Sequence, residues 1–154
     1  VSDGVLVWDV ETRAQTWTFE GHEGYANVVK FSPDSKRLYS CGRDAVVHVS
    51  CCETGRKLFD VNCLLTNRLL GVADIALSRN GVYLATSQEN TVTLWDARTG
   101  TYLRTIPGRR GCVVGGVAFS PDSRRLVVVV AEERASFVDV TTGSIVGSLR
   151  HTFC

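Results

Sequence analysis

The chain carries almost no net charge. Its 154 residues hold 17 Lys and Arg against 16 Asp and Glu, a formal balance of +1. No global field therefore steers it to nucleic acid or to a membrane surface. Long apolar runs are missing too. The longest, Leu126–Ala131, has six residues, far short of the roughly 20 a membrane-spanning helix needs. No Asn-x-Ser/Thr acceptor occurs, no low-complexity linker stands out, and no signal-peptide pattern opens the sequence. These absences agree with an intracellular site before a secreted one, with the nucleus left open. The six cysteines (Cys41, Cys51, Cys52, Cys63, Cys112 and Cys154) never take zinc-ribbon spacing. Cys51 and Cys52 are too close in sequence for an ordinary bridge. All six read as free thiols acting as small hydrophobes. Gly-x-Ser-x-Gly, a phosphate loop and His-Glu-x-x-His are absent, so the residues assign no catalytic group, no cofactor and no metal. No stretch holds a 3.6-residue period for three turns, which argues against helices.

What is present is repetition. Phe31-Ser32-Pro33-Asp34-Ser35 recurs as Phe119-Ser120-Pro121-Asp122-Ser123, with a weaker copy, Leu77-Ser78-Arg79-Asn80-Gly81, between them. Trp8-Asp9, Trp95-Asp96 and Val138-Asp139 keep the same beat, with a missing copy near Ser50-Cys51. Both phrases return every 42 to 46 residues, or at twice that interval across the gap. A period in the low forties marks a repeat architecture.

Each repeat reads as four short strands. In the first complete one these are Tyr25–Phe31, Leu38–Cys41, Val46–Val49 and Lys57–Val61. The next has Val72–Leu77, Tyr83–Thr86, Thr91–Trp95 and Tyr102–Ile106. The last has Cys112–Phe119, Leu126–Val130, Ala135–Val138 and Ser144–Leu149. Turn residues separate them: Pro presets φ, while Asp and Ser bond local backbone groups. With a partial repeat over 1–19, blades are expected at 20–62, 63–106 and 107–150, and 151–154 begins the next connection. That makes fourteen strands. One four-stranded sheet cannot bury both of its faces alone, whereas radial stacking of copies can.

In these residues the chain resembles the WD-repeat β-propeller family. Gly21-His22, Phe31-Ser32-Pro33-Asp34, Leu38-Tyr39-Ser40, Asp44 and a Thr-Gly pair follow the family's order, and Leu94-Trp95-Asp96-Ala97-Arg98-Thr99-Gly100 is close to its signature. The resemblance implies an all-β fold, a propeller segment of four-stranded antiparallel blades within a larger, about seven-bladed ring. It also implies a structural hydrogen-bond network of His, Ser or Thr, Asp and Trp inside a blade. Here those positions fall on His22, Ser40, Asp44 and Ser50, so the network loses its Trp. The next blade offers Thr86 and Trp95, with Leu64 or a neighbour at the His position and Glu89 or Asn90 at the Asp position. In the last blade Arg109, Val128, Glu132 and Val138 take these places, and an Arg109–Glu132 ion pair is expected.

Trp8, Trp17, Trp95, Phe19, Phe31, Phe59, Phe119 and Phe137 sit at strand positions and read as core. His48 and His151 show no partner pattern. The expected function is a non-enzymatic scaffold that docks other proteins within a multiprotein assembly, with the remaining blades of the same propeller as its nearest partners. The alternatives are a subunit of an RNA-containing particle, or a non-catalytic segment of a multidomain enzyme, motor or ciliary/cytoskeletal protein, and the resemblance implies a cytoplasmic or cytoskeletal/ciliary home before a secreted one. The loop arginines favour nucleic acid slightly, and the near-neutral charge counts against it. The resemblance places the loops joining fourth to first and second to third strands at one end of the ring. There Tyr25, Arg43, Asn67, Arg68, Arg110 and Arg134 are the candidate partner-binding residues, beside Glu23 and Glu133. Tyr and Arg are the types enriched at binding hot spots.

Overall fold

The computed structural model describes residues 4–63, 71–108, 113–130 and 134–150. Among them are fourteen strands and no helix. A two-stranded sheet pairs β1 (Val5–Trp8) with β2 (Gln15–Phe19). Three four-stranded antiparallel meanders follow. They are β3 (Ala26–Phe31), β4 (Arg37–Gly42), β5 (Val46–Cys51) and β6 (Lys57–Asn62); then β7 (Asp74–Leu77), β8 (Tyr83–Gln88), β9 (Thr91–Asp96) and β10 (Tyr102–Pro107); then β11 (Val114–Phe119), β12 (Arg125–Val130), β13 (Arg134–Asp139) and β14 (Ile145–Arg150). The strands lie within two residues of their expected bounds. One of the two-residue differences is at β7, which starts at Asp74 rather than Val72. There the backbone leaves its own sheet: Val72 N–H donates to Gly42 O, 2.9 Å away in the preceding one.

Successive side chains on a strand point to opposite faces, and both faces of the middle sheets are apolar. Tyr39, Cys41, Val47, Val49 and Val61 turn one way and meet Ile75, Leu84 and Trp95 of the next sheet. On the far side of that next sheet, Ala76, Ala85, Val92, Leu94 and Ile106 meet Val117, Leu126, Val128 and Val138. Val5 and Phe19 of the two-stranded sheet pack on Leu38. Three cores thus lie between sheets rather than within them. Polar ties cross each one. Trp17 Nε1–H donates to Cys52 O (2.8 Å), Tyr39 Oη–H to Ala97 O (2.6 Å), and Val117 N–H to the Asp74 carboxylate (3.0 Å). The first strands β3, β7 and β11 neighbour one another.

Two aromatic expectations fail. Phe31 is 58% exposed and Trp8 56%, so neither is core. Phe31 pairs with Leu38, and Val29 with Ser40, on the face turned toward the first sheet. That sheet has only two strands, whose core takes in Leu38, His48 and the start of β3 at Ala26 but leaves Val29 and Phe31 exposed. Trp95 and Phe19 are buried as expected. The last sheet also turns Val129 outward. An arc with apolar end faces and open strand edges is a template for association. Purified as this segment alone, the protein should self-associate and bind hydrophobic dyes. Light scattering and dye fluorescence test this, and a monodisperse monomer with a cooperative melt would contradict it.

Candidate functional site

After β2 the chain must reach the start of β3 across the end of the β4–β5 hairpin. Two glycines permit the approach. A Cβ on Gly21 would stand 2.3 Å from the Phe19 ring, and one on Gly42 would stand 1.9 Å from Tyr25 O. Both contacts lie far inside van der Waals distance, so the loop lies directly on the hairpin. This close approach carries His22 inward, and it leaves Tyr25 and Arg43 side by side at the end of the sheet. Arg43 N–H donates to Tyr25 O at 3.2 Å. Tyr25 is 60% exposed, and Arg43 is exposed as well.

Beneath them lies a buried polar cluster. His22 Nδ1 is 2.8 Å from Asp44 Oδ2, and His22 Nε2 is 2.8 Å from Ser40 Oγ. The carboxylate can only accept. Nδ1 therefore carries the proton, and a neutral His22 accepts from the Ser40 hydroxyl. Burial holds this imidazole below its ordinary range, against the opposing pull of Asp44. Asp44 Oδ2 also accepts from Glu23 N–H at 3.1 Å, and Oδ1 accepts from Val46 N–H at 3.3 Å. The loop and hairpin are thereby joined through one carboxylate. Ser50 is buried on β5, but among the described residues it makes no bond to the cluster.

His48, which shows no partner pattern in the sequence, is a further member. It lies between the Phe19 and His22 rings, at centroid distances of 5.2 and 4.5 Å. Its Nδ1 is 2.7 Å from Asp60 Oδ1 on β6, and Lys57 Nζ donates to Asp60 Oδ2 at 2.9 Å. Partial burial would raise the Asp60 pKa, but the Lys57 and His48 hydrogen bonds outweigh it and hold the carboxyl below its usual range. The signal that could have found His48 is strand alternation. Residues 46, 48 and 50 share a face on β5, and His48 and Asp60 stand opposite each other in register.

The next sheet is built differently. Trp95 Nε1–H donates to Thr86 Oγ1 at 3.0 Å. Leu64 lies outside the described residues, and the buried neighbour at that end is Cys63. Gln88 pairs with Thr91, so Glu89-Asn90 is a two-residue turn. The β4–β5 connection is longer, with Cys41 paired to Val47. The shorter turn leaves no hairpin loop to carry a carboxylate inward, and Glu89 adopts φ +47° instead. In the last sheet Arg109 and Glu132 lie outside the described residues, as do Asn67, Arg68, Arg110 and Glu133. Arg134 is the first residue of β13.

Cys41 and Cys63 are buried, and burial pushes both thiols up to about 12. Cys51 is half-exposed. It occupies the turn position that Asp9, Asp96 and Asp139 hold in the other sheets. The Thr54 hydroxyl and the Thr54 and Glu53 N–H groups draw its thiol below the ordinary range. Cys112 and Cys154 lie outside the described residues.

At the opposite end of the sheets the repeated phrases make their own turns. Ser32 Oγ–H donates to Asp34 Oδ1 (2.6 Å), which also accepts from Lys36 N–H (3.1 Å). Ser120, Asp122 and Arg124 repeat this at 2.5 and 3.0 Å, and Ser78, Asn80 and Val82 at 2.7 and 3.1 Å. Ser35, Gly81 and Ser123 all take positive φ. Asp96 accepts from Arg98 and Thr99 N–H, and Asp139 from Thr142 N–H. These side chains are spent on local geometry.

A stack of four-stranded meanders with this loop-to-hairpin network is the architecture of a WD40-repeat protein, and the chain belongs to that family as a partial propeller of about three and a half blades. The model of the WD domain, G-beta repeat, matches residues 13–49 and 60–96. The chain is 33% identical over 121 residues to eukaryotic translation initiation factor 3 subunit I of Aspergillus oryzae, covering 77% of this chain and 33% of that protein. It is 29% identical over 143 residues to WD repeat-containing protein SL1-17 of Schistosoma mansoni, covering 92% of this chain and 46% of the relative. The solved RRP9 WD40 repeats superpose with a TM-score of 0.77 at 25% identity, over 85% of this chain and 40% of that one. The chain thus spans about a third of the curated initiation-factor relatives. Nothing in these relatives' names supports the cytoskeletal placement expected from the sequence.

The turn carboxylates set an acid limit. Hydrogen bonds from Ser32 and Lys36 hold Asp34 below the ordinary carboxylate value of 3.8, and those from Ser120 and Arg124 hold Asp122 there. Turn N–H groups do the same for Asp9 and Asp139. A depressed carboxyl contributes stability that is complete above its unfolded pKa and is lost as pH falls through the folded value. The denaturation midpoint of the intact protein should therefore drop below about pH 4. Asp34→Asn with Asp122→Asn should flatten that acid limb and keep the turns, because Asn80 already makes the same bonds. An unchanged acid limb in the double variant would contradict this.

Proposed function

We propose that this chain is part of a non-enzymatic interaction scaffold, an intracellular WD40-repeat subunit that docks proteins into a multiprotein assembly. The observation that carries the reading is the pairing of Tyr25 and Arg43. Both are exposed, and they are held against one another by a backbone hydrogen bond and a glycine-dependent close approach. An aromatic and an arginine fixed on a rigid frame lose little freedom when a partner binds. The similarity to a named subunit of a translation initiation factor supports a place in an assembly. The frame below the pair supports a structural role for His22, Ser40 and Asp44, with Thr86 and Trp95 serving the next sheet.

The docking face is the end that carries Tyr25 and Arg43, continued by Asn67, Arg68, Arg110 and Arg134. Arg109 is left out of this set because the family resemblance places it opposite Glu132. The remaining blades complete the ring by covering Phe31 and Val29 at one end and Val129 at the other. A place in an RNA-containing particle is the second reading. It draws on the 14 arginines, against 3 lysines.

In the full-length protein, Arg43→Glu, Arg68→Glu and Arg110→Glu together should weaken partner capture and leave the fold unchanged by circular dichroism. Arg124→Glu with Arg125→Glu, on the opposite end, should have no effect. Loss of capture in the second set alone would put the docking face at the other end. A binding constant for RNA that falls steeply with salt would favour the second reading.

A further inference from the structure

The cluster under the loop contains one atom that its hydrogen bonds do not explain. His48 Nε2 is buried and has no hydrogen-bond partner. The His48 side chain is only 7% exposed. Its Nδ1 lies 2.7 Å from the Asp60 carboxylate, an acceptor, so Nδ1 carries the proton. In neutral His48, Nε2 then presents a lone pair. It faces Asp44 Oδ2 at 3.5 Å, and that atom is an acceptor too. Two buried acceptors aimed at each other call for a cation between them.

A proton would be the smallest such cation. A charge-assisted N–H···O bond closes to about 2.7–2.9 Å, however, and 3.5 Å is too long for it. A metal ion fits the spacing. Tetrahedral zinc holds N and O ligands at about 2.0–2.2 Å, which puts neighbouring donors about 3.3 Å apart. Around Asp44 Oδ2 the distances are 2.8 Å to His22 Nδ1 and 3.5 Å to His48 Nε2, which bracket that value. All three donor atoms lie within 4.8 Å of one another.

The second layer fits as well. A metal-bound histidine donates its other ring N–H to a carboxylate, a carbonyl or another fixed oxygen, which sets its tautomer. His48 has Asp60 for that purpose, and Asp60 is braced by Lys57. His22 has Ser40 Oγ, at 2.8 Å. Binding would move the single ring proton of neutral His22 from Nδ1 to Nε2, with none released to solvent, and the Ser40 hydroxyl would turn from donor to acceptor. Asp44 keeps the Glu23 N–H on its second lone pair.

We propose that His22 Nδ1, Asp44 Oδ2 and His48 Nε2 form a three-ligand site for a divalent transition-metal ion of the zinc class, which clamps the loop at Gly21–Glu23 onto the β4–β5 hairpin. The two-imidazole, one-carboxylate donor set selects zinc-like ions over calcium or magnesium, which take oxygen ligands. Water fills the fourth position. The role is structural, because the ligands are buried and hold together two segments that otherwise share a few hydrogen bonds.

The test uses the full-length protein, freed of metal with a chelator and titrated with zinc chloride. One equivalent should bind by calorimetry and raise the unfolding temperature. Cobalt(II) in its place should give tetrahedral d–d bands without a thiolate charge-transfer band. His48→Gln should abolish the binding. Asp60→Ala, which keeps all three ligands, should weaken it by about 10–100-fold. If His48→Gln does not fold, the Asp60 variant decides. The absence of saturable binding, a thiolate band that places the metal on cysteine, or zinc affinity unchanged in either variant would overturn the proposal.

Discussion

The structure depends on one constraint: no sheet in this chain can bury its apolar residues by itself. In the two complete inner sheets, β4, β5, β8 and β9 are buried along nearly their whole length on both faces. An antiparallel sheet with one wet face alternates apolar and polar residues, whereas one covered on both sides does not. Val46 to Val49 and Val92 to Trp95 are of the second kind. Each sheet therefore serves as the core of its neighbours. The stabilising contacts are Tyr39, Val47 and Val49 against Ile75 and Leu84, and Ala85 and Leu94 against Leu126 and Val128. Burial of this sort contributes about 25 cal/mol per Å² of apolar surface, and all of it is shared between units.

The two ends of the stack divide the remaining work. At one end the repeated Ser-Pro-Asp-Ser and Asp-x-x-Thr-Gly segments use one carboxylate oxygen each to satisfy their own backbone groups. At the other end the connections differ from sheet to sheet. The β4–β5 loop is long enough to aim Asp44 inward, while Glu89-Asn90 is a two-residue turn. That irregularity gives the first complete sheet a polar cluster and leaves the next with the simpler Thr86–Trp95 bond. The same loop that buries His22 also sets out Tyr25 and Arg43, so the interior cluster and the exposed pair are mechanically one feature.

Much of this was legible in the sequence because short apolar runs and turn residues are local signals. The period near 43 residues, the strand positions and the turn chemistry of Asp34, Asn80 and Asp122 all follow from neighbouring residues. What was not legible depends on the partner across a sheet face. Phe31 and Trp8 look like core residues, yet Phe31 is left uncovered by the two-stranded first sheet and Trp8 is exposed at the end of that sheet's own β1. His48 looks isolated, yet strand alternation places it over Asp44 and the register places it opposite Asp60. Cys51 reads as a small hydrophobe and in fact stands in the place of a turn aspartate.

The central claim is that the sheets are stabilised between units rather than within them. Native-state hydrogen exchange on the intact protein carrying Ile75→Ala tests it most directly. Ile75 lies on β7 and is fully buried in the core shared with the preceding sheet, and its truncation should cost about 2–5 kcal/mol. Stacking predicts that amides in β4 and β5 lose protection together with those of β8 and β9. Loss confined to β7–β10, with β4 and β5 as protected as before, would show that each sheet is stable by itself and would contradict the account.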